Sequence, residues 1–407
     1  MIDPTGVSAP TPAVLTPFWD NDIRTRIGEF ADIRRCSEGI EFLEQPEGAG
    51  FWSLTSYAGV RAVTRDPETF TSTLGFSLDD FPPEMLEMLG SIIAMDDPKH
   101  QQMRRLVQAA FSPRAIKQMT DYVEELSDGI VAEIREAKQF DFVDTVGAHL
   151  PLQVICDLLA IPAGDRPRLR ELIDLILGVN DSELGNPKDS IRAVGEFFEY
   201  TMDLARHRRE HPGDDVASTL MRAEVDGRRL SAQEFGSFVI LLASAGNDTT
   251  RTALAWSMHL LGENAEQKRQ LTTHYDELHA NATDEILRWS SPVLHMRRTA
   301  TRDAVLGGAE IKAGDKVVVW FLAANHDDSV FPDPDVFDIH RTNARDQIAF
   351  GAGGPHFCLG SNLARMELRV VLQKLPTAFP NIHATAEPTL LRSCFVNGVK
   401  ALPCAIE

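Results

Sequence analysis

The amino-acid sequence predicts a mainly α-helical fold with a small β part, organised as one domain over residues 1–407. Two observations carry this prediction. Apolar residues recur at steps of three and four along most of the chain, whereas strand signals are few and short. No internal repeat, low-complexity tract or linker-like segment divides the chain.

The two clearest predicted helices each begin with recognisable capping residues. Ser112 and Pro113 open one helix as cap and first helical residue, and apolar residues then recur as far as Ile134. Ser231 and Glu234 form a capping-box pattern, which opens a long helix running to about residue 262. Further helices are predicted over 152–161, 166–178, 190–211 and 276–290.

Strand signals are confined to a few places. Residues 51–54 and 59–64 are predicted as strands near the start of the chain. Residues 304–311 and 317–322 are predicted to pair as a hairpin, and short strands are expected over 390–405.

The charge of the chain excludes two classes of function. Lys and Arg number 40 against 60 Asp and Glu, so the formal net charge is −20. Nucleic-acid binding requires cations that neutralise phosphates, and an anionic membrane surface would repel this chain. The longest apolar runs, 238–243 and 317–324, are too short to span a bilayer, and no signal peptide is evident. We therefore expect a cytoplasmic protein that binds neither nucleic acid nor membrane.

Cys358 differs from the other four cysteines, which are scattered and form neither a disulfide framework nor a CxxC metal site. Glycines and a proline surround it, and a helical pattern begins at Ser361. Free backbone N–H groups and the helix dipole stabilise an anion at such a helix start, so the position favours a thiolate. Glycines also allow close approach of a flat ligand. A glycine-rich turn with an incidental cysteine is the structural alternative.

This segment resembles the haem-binding loop of the cytochrome P450 family, the haem-thiolate monooxygenases. The residues that match the family pattern are Phe350, Gly351, Gly353, His356, Cys358 and Gly360. The resemblance implies a cytochrome P450 fold, haem b (iron protoporphyrin IX) as cofactor and Cys358 as the iron ligand. Phe350 and Cys358 are one residue further apart than in the commonest form of the family's loop. The longer loop is similar to that of some bacterial members that act on sterols and branched lipids.

Two other motifs extend the resemblance over nearly the whole chain. Glu285 and Arg288 match Glu-x-x-Arg, an i, i+3 ion pair on one helix face, and Arg341 is expected as a further partner. In isolation, a surface helix pair is the alternative for this tetrapeptide.

A polar cluster in the long helix matches the oxygen-binding segment of the family. Ala245, Gly246, Asp248 and Thr249 lie mid-helix, where glycine and threonine are poor helix formers. The resemblance implies a local widening of the helix, in which Thr249 hydrogen-bonds O2 at the iron and Asp248 relays protons from solvent. The alternative is a kink whose hydroxyl groups bond back to the preceding turn.

Four basic residues stand where the family binds the haem propionates. His100 and Arg104 share a helix face at i, i+4, Arg298 lies ten residues past Arg288, and His356 lies in the cysteine loop. Each alone is more often a solvated surface cation. His295 is expected to be a structural histidine.

The implied reaction inserts one oxygen atom of O2 into a C–H bond of a hydrophobic terpenoid, branched lipid or steroid-like substrate. Three of the 11 methionines lie between positions 85 and 95, and thioethers suit adaptable pockets. Ordinary core residues have the same periodicity, so about half of the apolar candidates should belong to the core. The pocket residues that the resemblance implies are Ile92, Ile93, Met95, Leu242, Val293, Leu294, Phe395 and Val396.

Electrons are expected from a separate ferredoxin with its ferredoxin reductase, and the protein is expected to be a monomer. An acidic ferredoxin would need a local basic patch on this acidic chain. The candidate cations are Arg105, Arg114, Lys117, Arg365 and Arg369. Two alternatives stay open: a non-enzymatic haem or small-molecule binding protein, and a peroxide-driven enzyme. Binding alone would not require the Asp248–Thr249 pair, and a peroxide-driven enzyme would have less use for it.

Overall fold

The computed structural model describes residues 17–45, 49–78, 80, 86, 88, 91–213, 215–225 and 227–406. These residues form mainly helices with short strands between them, which confirms the predicted fold class. The proline-rich start of the chain and Met85 lie outside the described residues.

The helices are numbered here in chain order. Their bounds are Ile23–Ser37 (α1), Tyr57–Arg65 (α2), Lys99–Val107 (α3), Pro113–Ala137 (α4), His149–Leu158 (α5), Arg166–Leu177 (α6), Pro187–Glu210 (α7), Val216–Arg222 (α8), Ala232–Glu263 (α9), Ala265–Thr273 (α10), Tyr275–Ser290 (α11), Phe321–Asn325 (α12) and Ser361–Ala378 (α13). A short 3₁₀ turn covers Ser91–Ala94. All the helices predicted above are present, with boundaries shifted by a few residues.

The strands are numbered in the same way. Their bounds are Ile40–Leu43 (β1), Phe51–Leu54 (β2), Phe70–Thr71 (β3), Gln139–Asp141 (β4), Glu224–Val225 (β5), Arg228–Arg229 (β6), His295–Ala300 (β7), Ala304–Leu306 (β8), Ala309–Ile311 (β9), Lys316–Trp320 (β10), His383–Ala384 (β11), Thr389–Leu390 (β12), Val399–Ala401 (β13) and Pro403–Ala405 (β14). The largest sheet has the order β1-β2-β10-β7-β3.

Helix α4 forms where the sequence predicts it, because its capping residues and its apolar stripe both favour a helix over the same residues. The Ser112 hydroxyl accepts a hydrogen bond from the Ala115 N–H at 3.3 Å, and proline occupies the first helical position. The apolar residues at steps of three and four, including Val123 and Ile134, are buried against the core.

The long helix α9 crosses the interior and contacts α5, α7, α11 and α13. Its predicted capping box is present: the Glu234 N–H donates to the Ser231 hydroxyl, and the Ser231 N–H donates to the Glu234 carboxylate, each at 3.1 Å. With 32 residues it is roughly 48 Å long. Its middle residues therefore lie deep in the protein, at the site described below.

Two strand predictions are wrong. Residues 59–64 lie in helix α2, where Ser56 caps the start and the buried Tyr57, Val60, Val63 and Thr64 recur at helical spacing. The β-branched residues of this short segment favour a strand locally, but the cap and the burial of one helix face decide the structure.

The predicted hairpin of residues 304–311 with 317–322 is also wrong. Strand β8 pairs with β9 instead, whereas β10 pairs with β7 and, in parallel, with β2. All five residues of β10 are buried, so this apolar run belongs at the centre of the large sheet rather than in an exposed hairpin. The short strands expected over 390–405 are present as β12, β13 and β14.

No helix among the described residues has both the length and the apolar character to cross a bilayer.

Candidate active site

Cys358 lies in a loop that ends at the first residue of α13. Its N–H donates to the Phe350 carbonyl at 2.8 Å, which closes the loop. Three consecutive residues, Gly351, Ala352 and Gly353, have positive φ angles of 100°, 54° and 81°. This left-handed stretch explains the glycines on either side of position 352.

The environment of the Cys358 thiol contains opposing influences on its pKa. Burial raises the pKa, whereas the N–H groups of Gly360 and Ser361 and the positive charges of Arg104 and Arg365 lower it. The Gly360 and Ser361 N–H groups lie at the start of α13, as the sequence predicts. A metal cation at the sulfur would overcome the burial effect, because coordination deprotonates a thiol.

The cysteine loop contacts the end of α2. Gly354 lies so close to Thr64 that a Cβ atom there would stand 1.9 Å from the Thr64 carbonyl oxygen. The Arg65 Nε–H donates to the Ala352 carbonyl at 3.1 Å. The Phe350 ring lies under the Arg365 guanidinium, 4.5 Å from its carbon.

An apolar cavity separates the cysteine loop from the middle of α9. Ala245 and Cys358 both have exposed surface although they lie in the interior of the fold, and both line this cavity. The protein itself does not fill this space. The other predicted residues in the lining are Gly246, Thr249, Phe350, Gly351 and Gly360.

The four predicted propionate-binding residues come together on the same cavity. His100, Arg104, Arg298 and His356 all line it, and the two imidazole ring centroids are 4.3 Å apart. Neither arginine forms an ion pair within the described part of the chain, and the buried His100 Nε2 lacks a hydrogen-bond partner there. Arg298 is buried, and an anionic ligand would offset the desolvation of a buried cation that has no counter-ion. Arg104 is partly exposed and donates to the Phe357 carbonyl at 2.7 Å.

Burial dominates the electrostatics of this cluster. Burial, followed by the charge of Arg298, lowers the pKa of His356 to about 2, and burial lowers the pKa of Arg298 to about 10. Two carboxylates entering the cavity would oppose both effects, because a nearby negative charge favours the charged forms of His356 and Arg298. The cation cluster, the thiol at a helix start and the open apolar space thus fit a flat dianionic metal macrocycle such as haem.

Asp248 and Thr249 occupy different positions relative to the cavity. Thr249 lines it, and its hydroxyl donates to the Ala245 carbonyl at 2.7 Å. This is the back-bonding that the structural alternative predicts, and α9 runs through the segment as an unbroken α-helix. Asp248 is only 1% exposed and lies behind the lining.

Asp248 is the inner end of a chain of charged groups. Its Oδ1 lies 2.7 Å from Arg251 Nη2, and Arg251 Nη1 lies 2.9 Å from Asp174 Oδ1 on α6. Burial raises the pKa of Asp248 to about 6 against the opposing charge of Arg251. A carboxyl with a pKa near neutral that is linked to half-exposed Asp174 has the properties expected of a proton relay.

The predicted Glu-x-x-Arg ion pair is fully buried. Arg288 Nε and Nη2 donate to the Glu285 carboxylate at 2.7 and 2.9 Å, and Arg341 Nε donates to it at 3.2 Å. The Asp338 N–H donates to the same carboxylate at 3.0 Å, and Arg288 Nη1 donates to the Asn325 carbonyl. Every charge in the cluster therefore has partners, and the surface-pair alternative is excluded.

The eight predicted pocket residues divide into two groups. Ile92, Ile93, Leu242 and Val293 line the cavity. The structure places Met95, Leu294, Phe395 and Val396 outside its lining. Leu294 is buried in the main core and Val396 pairs with Val293, whereas Phe395 packs on the rings of Phe76 and His295.

His295 is structural, as expected. Its Nδ1 lies 2.7 Å from the Cys394 carbonyl, and its Nε2 accepts from the Leu78 N–H at 2.9 Å. Burial lowers its pKa to about 4, so it is neutral and ties β7 to two other segments.

Two residues near the site have surroundings that the sequence reading missed. Arg365 donates to the Asp284 carboxylate at 2.8 Å rather than extending as a surface cation. Glu367 is buried and lines the cavity. A glutamate between Leu363 and Leu368, on the apolar face of α13, is a signal that could have identified it.

Comparison with known proteins agrees with this geometry. A family model described as Cytochrome P450 matches residues 80–380. A methyl-branched lipid omega-hydroxylase of Mycobacterium bovis is 41% identical over 95% of this chain and 92% of its own length. A steroid C26-monooxygenase of Rhodococcus jostii is 37% identical over 97% of this chain and 86% of its own length.

Solved structures give the same result. A Mycobacterium marinum cytochrome P450 in complex with pseudoionone matches with a TM-score of 0.91 and 34% identity, covering 98% of this chain and all of its own. A Bacillus megaterium protein crystallised with testosterone matches with a TM-score of 0.85 and 29% identity, over 95% of this chain and 100% of its own.

Proposed function

We propose that this chain, which belongs to the cytochrome P450 family and is a monooxygenase, hydroxylates the end of an apolar, methyl-branched chain carried by a lipid or steroid-like substrate. The observation that carries this proposal is the Cys358 thiol at a helix start, in the lining of an apolar cavity that Ala245 and Thr249 of α9 also line. The names of the relatives, an omega-hydroxylase of methyl-branched lipids and a steroid C26-monooxygenase, support the substrate class.

The family implies a haem cofactor, and we assign its ligands to residues of this chain. Cys358 would hold the iron, while His100, Arg104, Arg298 and His356 would hold the propionates of haem b. Haem bound through a thiolate supplies the activation of O2. The residues around it orient the substrate, exclude water and deliver protons.

Two neighbouring residues of α9 are proposed to deliver protons. Thr249 has its hydroxyl at the cavity wall, where it can bind a water molecule or O2. Asp248 has one carboxylate oxygen on Arg251 and a second, buried oxygen without a partner among the described residues. A small rotation of the Asp248 side chain toward Thr249 would carry a proton from the side of Asp174 to the cavity.

The proposed substrate follows from the lining. Ile92, Leu242 and Val293 join Phe238 and Phe321 in an apolar wall. Such a wall favours an aliphatic chain by burial of apolar surface, about 0.8 kcal/mol for each CH₂ group. The cationic residues of the lining, Arg104 and Arg298, are those assigned above to the propionates, so we expect the apolar end of the substrate to lie nearest the cysteine.

We propose a ferredoxin, reduced by its reductase, as the electron donor. The support is the electrostatic character of the chain: a net charge of −20 leaves few basic surfaces, and Arg114 and Lys117 at the start of α4 form one that is exposed. Complementary charge would orient an acidic ferredoxin there.

The assignment of Cys358 can be tested by carbon monoxide difference spectroscopy of the reduced protein. The protein should give the thiolate-type Soret band, and so should Cys36→Ser, which alters an exposed cysteine on α1 that does not line the cavity. Cys358→His should retain haem but lose that band, because imidazole replaces the thiolate. A thiolate-type band in Cys358→His would overturn the assignment.

The same preparations test the substrate class. Methyl-branched fatty acids and steroids should shift the ferric protein from low to high spin more tightly than straight-chain or small aromatic compounds. Tight binding of small polar aromatics alone would contradict the proposed substrate.

A further inference from the structure

The proposed function leaves the polar end of a lipid substrate without a binding partner. The cations in the lining of the active-site cavity, Arg104 and Arg298, are assigned to the haem propionates, and the apolar end of the substrate is assigned to the cysteine. A charged head group buried among apolar side chains would lose its hydration without compensation. Such a head group therefore needs a second, polar site.

A polar groove lies on the other side of one wall of the cavity. The 3₁₀ turn Ser91–Ala94 packs against α9 and α3. Ile92 and Ile93 of this turn line the cavity, whereas Ser91 and Ala94 line the groove. The turn therefore stands between the two spaces. We call the second space the hairpin groove, because the β5–β6 hairpin borders it; the residues of its lining used below are Leu86, Met95, Lys99, Arg228, Arg229 and Glu234.

Helix α9 also borders both spaces. Ser237 lines the hairpin groove, while Phe238 and Leu241 line the cavity. From Ser237 to Thr249 the helix rises roughly 18 Å, at 1.5 Å per residue. An elongated lipid can therefore have one end beside Thr249 and the other in the groove, whereas a small compound cannot.

Cations outnumber carboxylates in the described lining of the hairpin groove. Lys99, Arg228 and Arg229 are the cations, and Glu234 is the carboxylate. Arg228 forms an ion pair with Glu234 and also donates to the Met103 sulfur at 3.4 Å. This carboxylate is thus neutralised within the lining, and two positive charges remain.

The two remaining cations can bind an anion. Lys99, the first residue of α3, is exposed and forms no ion pair with a described residue. Arg229 uses Nε to bind Glu224 at 2.8 Å, and Glu224 lies outside the lining. A guanidinium has five N–H donors, so most of those on Arg229 stay available to a ligand.

Ser91 supplies a second, independent observation in the same lining. It is 5% exposed, and its Oγ is buried without a partner among the described residues. Its backbone is held in the left-handed region, with a φ angle of 34°, while its N–H donates to the Ser237 hydroxyl at 3.1 Å. A buried hydroxyl without a partner is costly, and an anion in the groove would give it one.

The lining also indicates what carries the anion. Leu86 and Met95 add apolar surface beside the cations. Such surface favours an anion attached to an apolar chain over a hydrated inorganic anion. Met95 was predicted for the substrate pocket, and its place in this groove is consistent with a substrate that extends beyond the cavity.

We propose that the hairpin groove binds the carboxylate of a fatty-acid substrate whose methyl-branched end lies beside Cys358. Lys99 and Arg229 donate charged hydrogen bonds to the carboxylate, and the Ser91 hydroxyl donates another. This inference rests on the proposed function and narrows its substrate class to lipids that carry a carboxylate. A steroid without an acidic group would use the cavity but not the groove.

The first test compares a methyl-branched fatty acid with the primary alcohol of the same chain, which carries no charge. At neutral pH the acid should bind the ferric holoenzyme about tenfold more tightly, the lower end of what a hydrogen bond to a charged group contributes. Calorimetric titration and the low- to high-spin shift both measure this difference. Equal affinities would overturn the proposal, and so would displacement of the acid by an equal concentration of inorganic phosphate.

The second test removes the two available cations with Lys99→Gln and Arg229→Gln together. The dissociation constant of the acid should rise about tenfold, because its charged hydrogen bonds are lost, while that of the alcohol stays unchanged. Unchanged alcohol binding also shows that the variant is folded.

The matched control combines Lys188→Gln with Arg192→Gln, which neutralises one exposed lysine and one exposed arginine on α7, outside both linings. It should retain the preference for the acid. A groove variant that binds the acid as tightly as wild type, or a control that loses the preference equally, would overturn the proposal.

The same measurements distinguish failure of this inference from failure of the proposed function. If the acid and the alcohol bind equally and both are hydroxylated at the chain end, the proposed function stands and the groove is not the head-group site. If neither compound shifts the spin state, the proposed substrate class fails, and this inference fails with it.

Discussion

Gly354 brings the cysteine loop closer to α2 than any other residue could. The Thr64 carbonyl oxygen would lie 1.9 Å from a Cβ atom at this position, and both groups in the contact are backbone. Backbone atoms cannot rotate away as the end of a flexible side chain can. The contact sets the distance between the cysteine loop and α2, and thereby the position of Cys358.

We predict that Gly354→Ala displaces the cysteine loop and weakens haem retention. The methyl group must push the loop from α2, at a cost typical of overpacked sites, about 1–3 kcal/mol. Haem loss to an apoprotein acceptor, followed by the Soret absorbance, should be faster than in wild type.

Gly164→Ala is the control for this change, because a Cβ atom at Gly164 meets nothing within 4 Å. Equal rates of haem loss from all three proteins would show that the α2 contact does not position the loop.

At the scale of elements, α11 is anchored to the segment after α12 by the Glu285–Arg288–Arg341 cluster. One buried carboxylate here faces two guanidinium groups, whose remaining N–H donors reach the carbonyls of Asn325 and Pro332. Removing the carboxylate would leave two buried cations without a counter-ion. That is the situation in which a buried ion pair matters most to folding.

Glu285→Gln should therefore destabilise the protein by about 3–5 kcal/mol. The comparison is Glu266→Gln, which breaks an i, i+3 pair with Arg269 of the same residue types on the surface of α10. That change should have a much smaller effect on stability, because the pair is exposed to solvent. Urea unfolding midpoints measure both, and similar losses in the two variants would mean that burial does not decide the strength of this pair.

Elements whose signals are local could be predicted from the sequence. The Ser231–Glu234 box and the glycines around Cys358 act over a few residues, so the α9 start and the cysteine loop were identified correctly. The pairing of β10 with β2 joins residues more than 260 positions apart and depends on which surfaces become buried. No local pattern contains that information.

The same limit applies within the site. Val293 and Leu294 are adjacent and equally apolar, yet the first lines the cavity and the second is in the core. Periodicity indicates that a residue is buried, but not against what.

At the scale of the whole molecule, a net charge of −20 makes the encounter with an acidic electron donor unfavourable on most of the surface. The structure narrows the candidate docking cations. Arg365 is engaged with Asp284 and Arg369 is only half-exposed, whereas Arg114 and Lys117 are exposed in the first turns of α4. They stand three residues apart, and therefore on one face of the helix.

We predict that reversing both charges, with Arg114→Glu and Lys117→Glu, slows reduction by ferredoxin. The rate in the parent protein should fall as salt is added, because screening weakens attraction between exposed charges beyond about 10 Å at 0.1 M ionic strength. Stopped-flow reduction under carbon monoxide measures this rate directly. The variant should be slower at low salt and should lose most of its salt dependence.

The control reverses Lys188, an exposed cation in the first turn of α7, which is a different helix from the proposed docking surface. Lys188→Glu changes the net charge by the same amount as either single reversal, so it separates a local docking effect from the repulsion of the whole molecule. If Lys188→Glu slows reduction as much as Arg114→Glu alone, the overall charge governs the encounter and the start of α4 is not the docking surface.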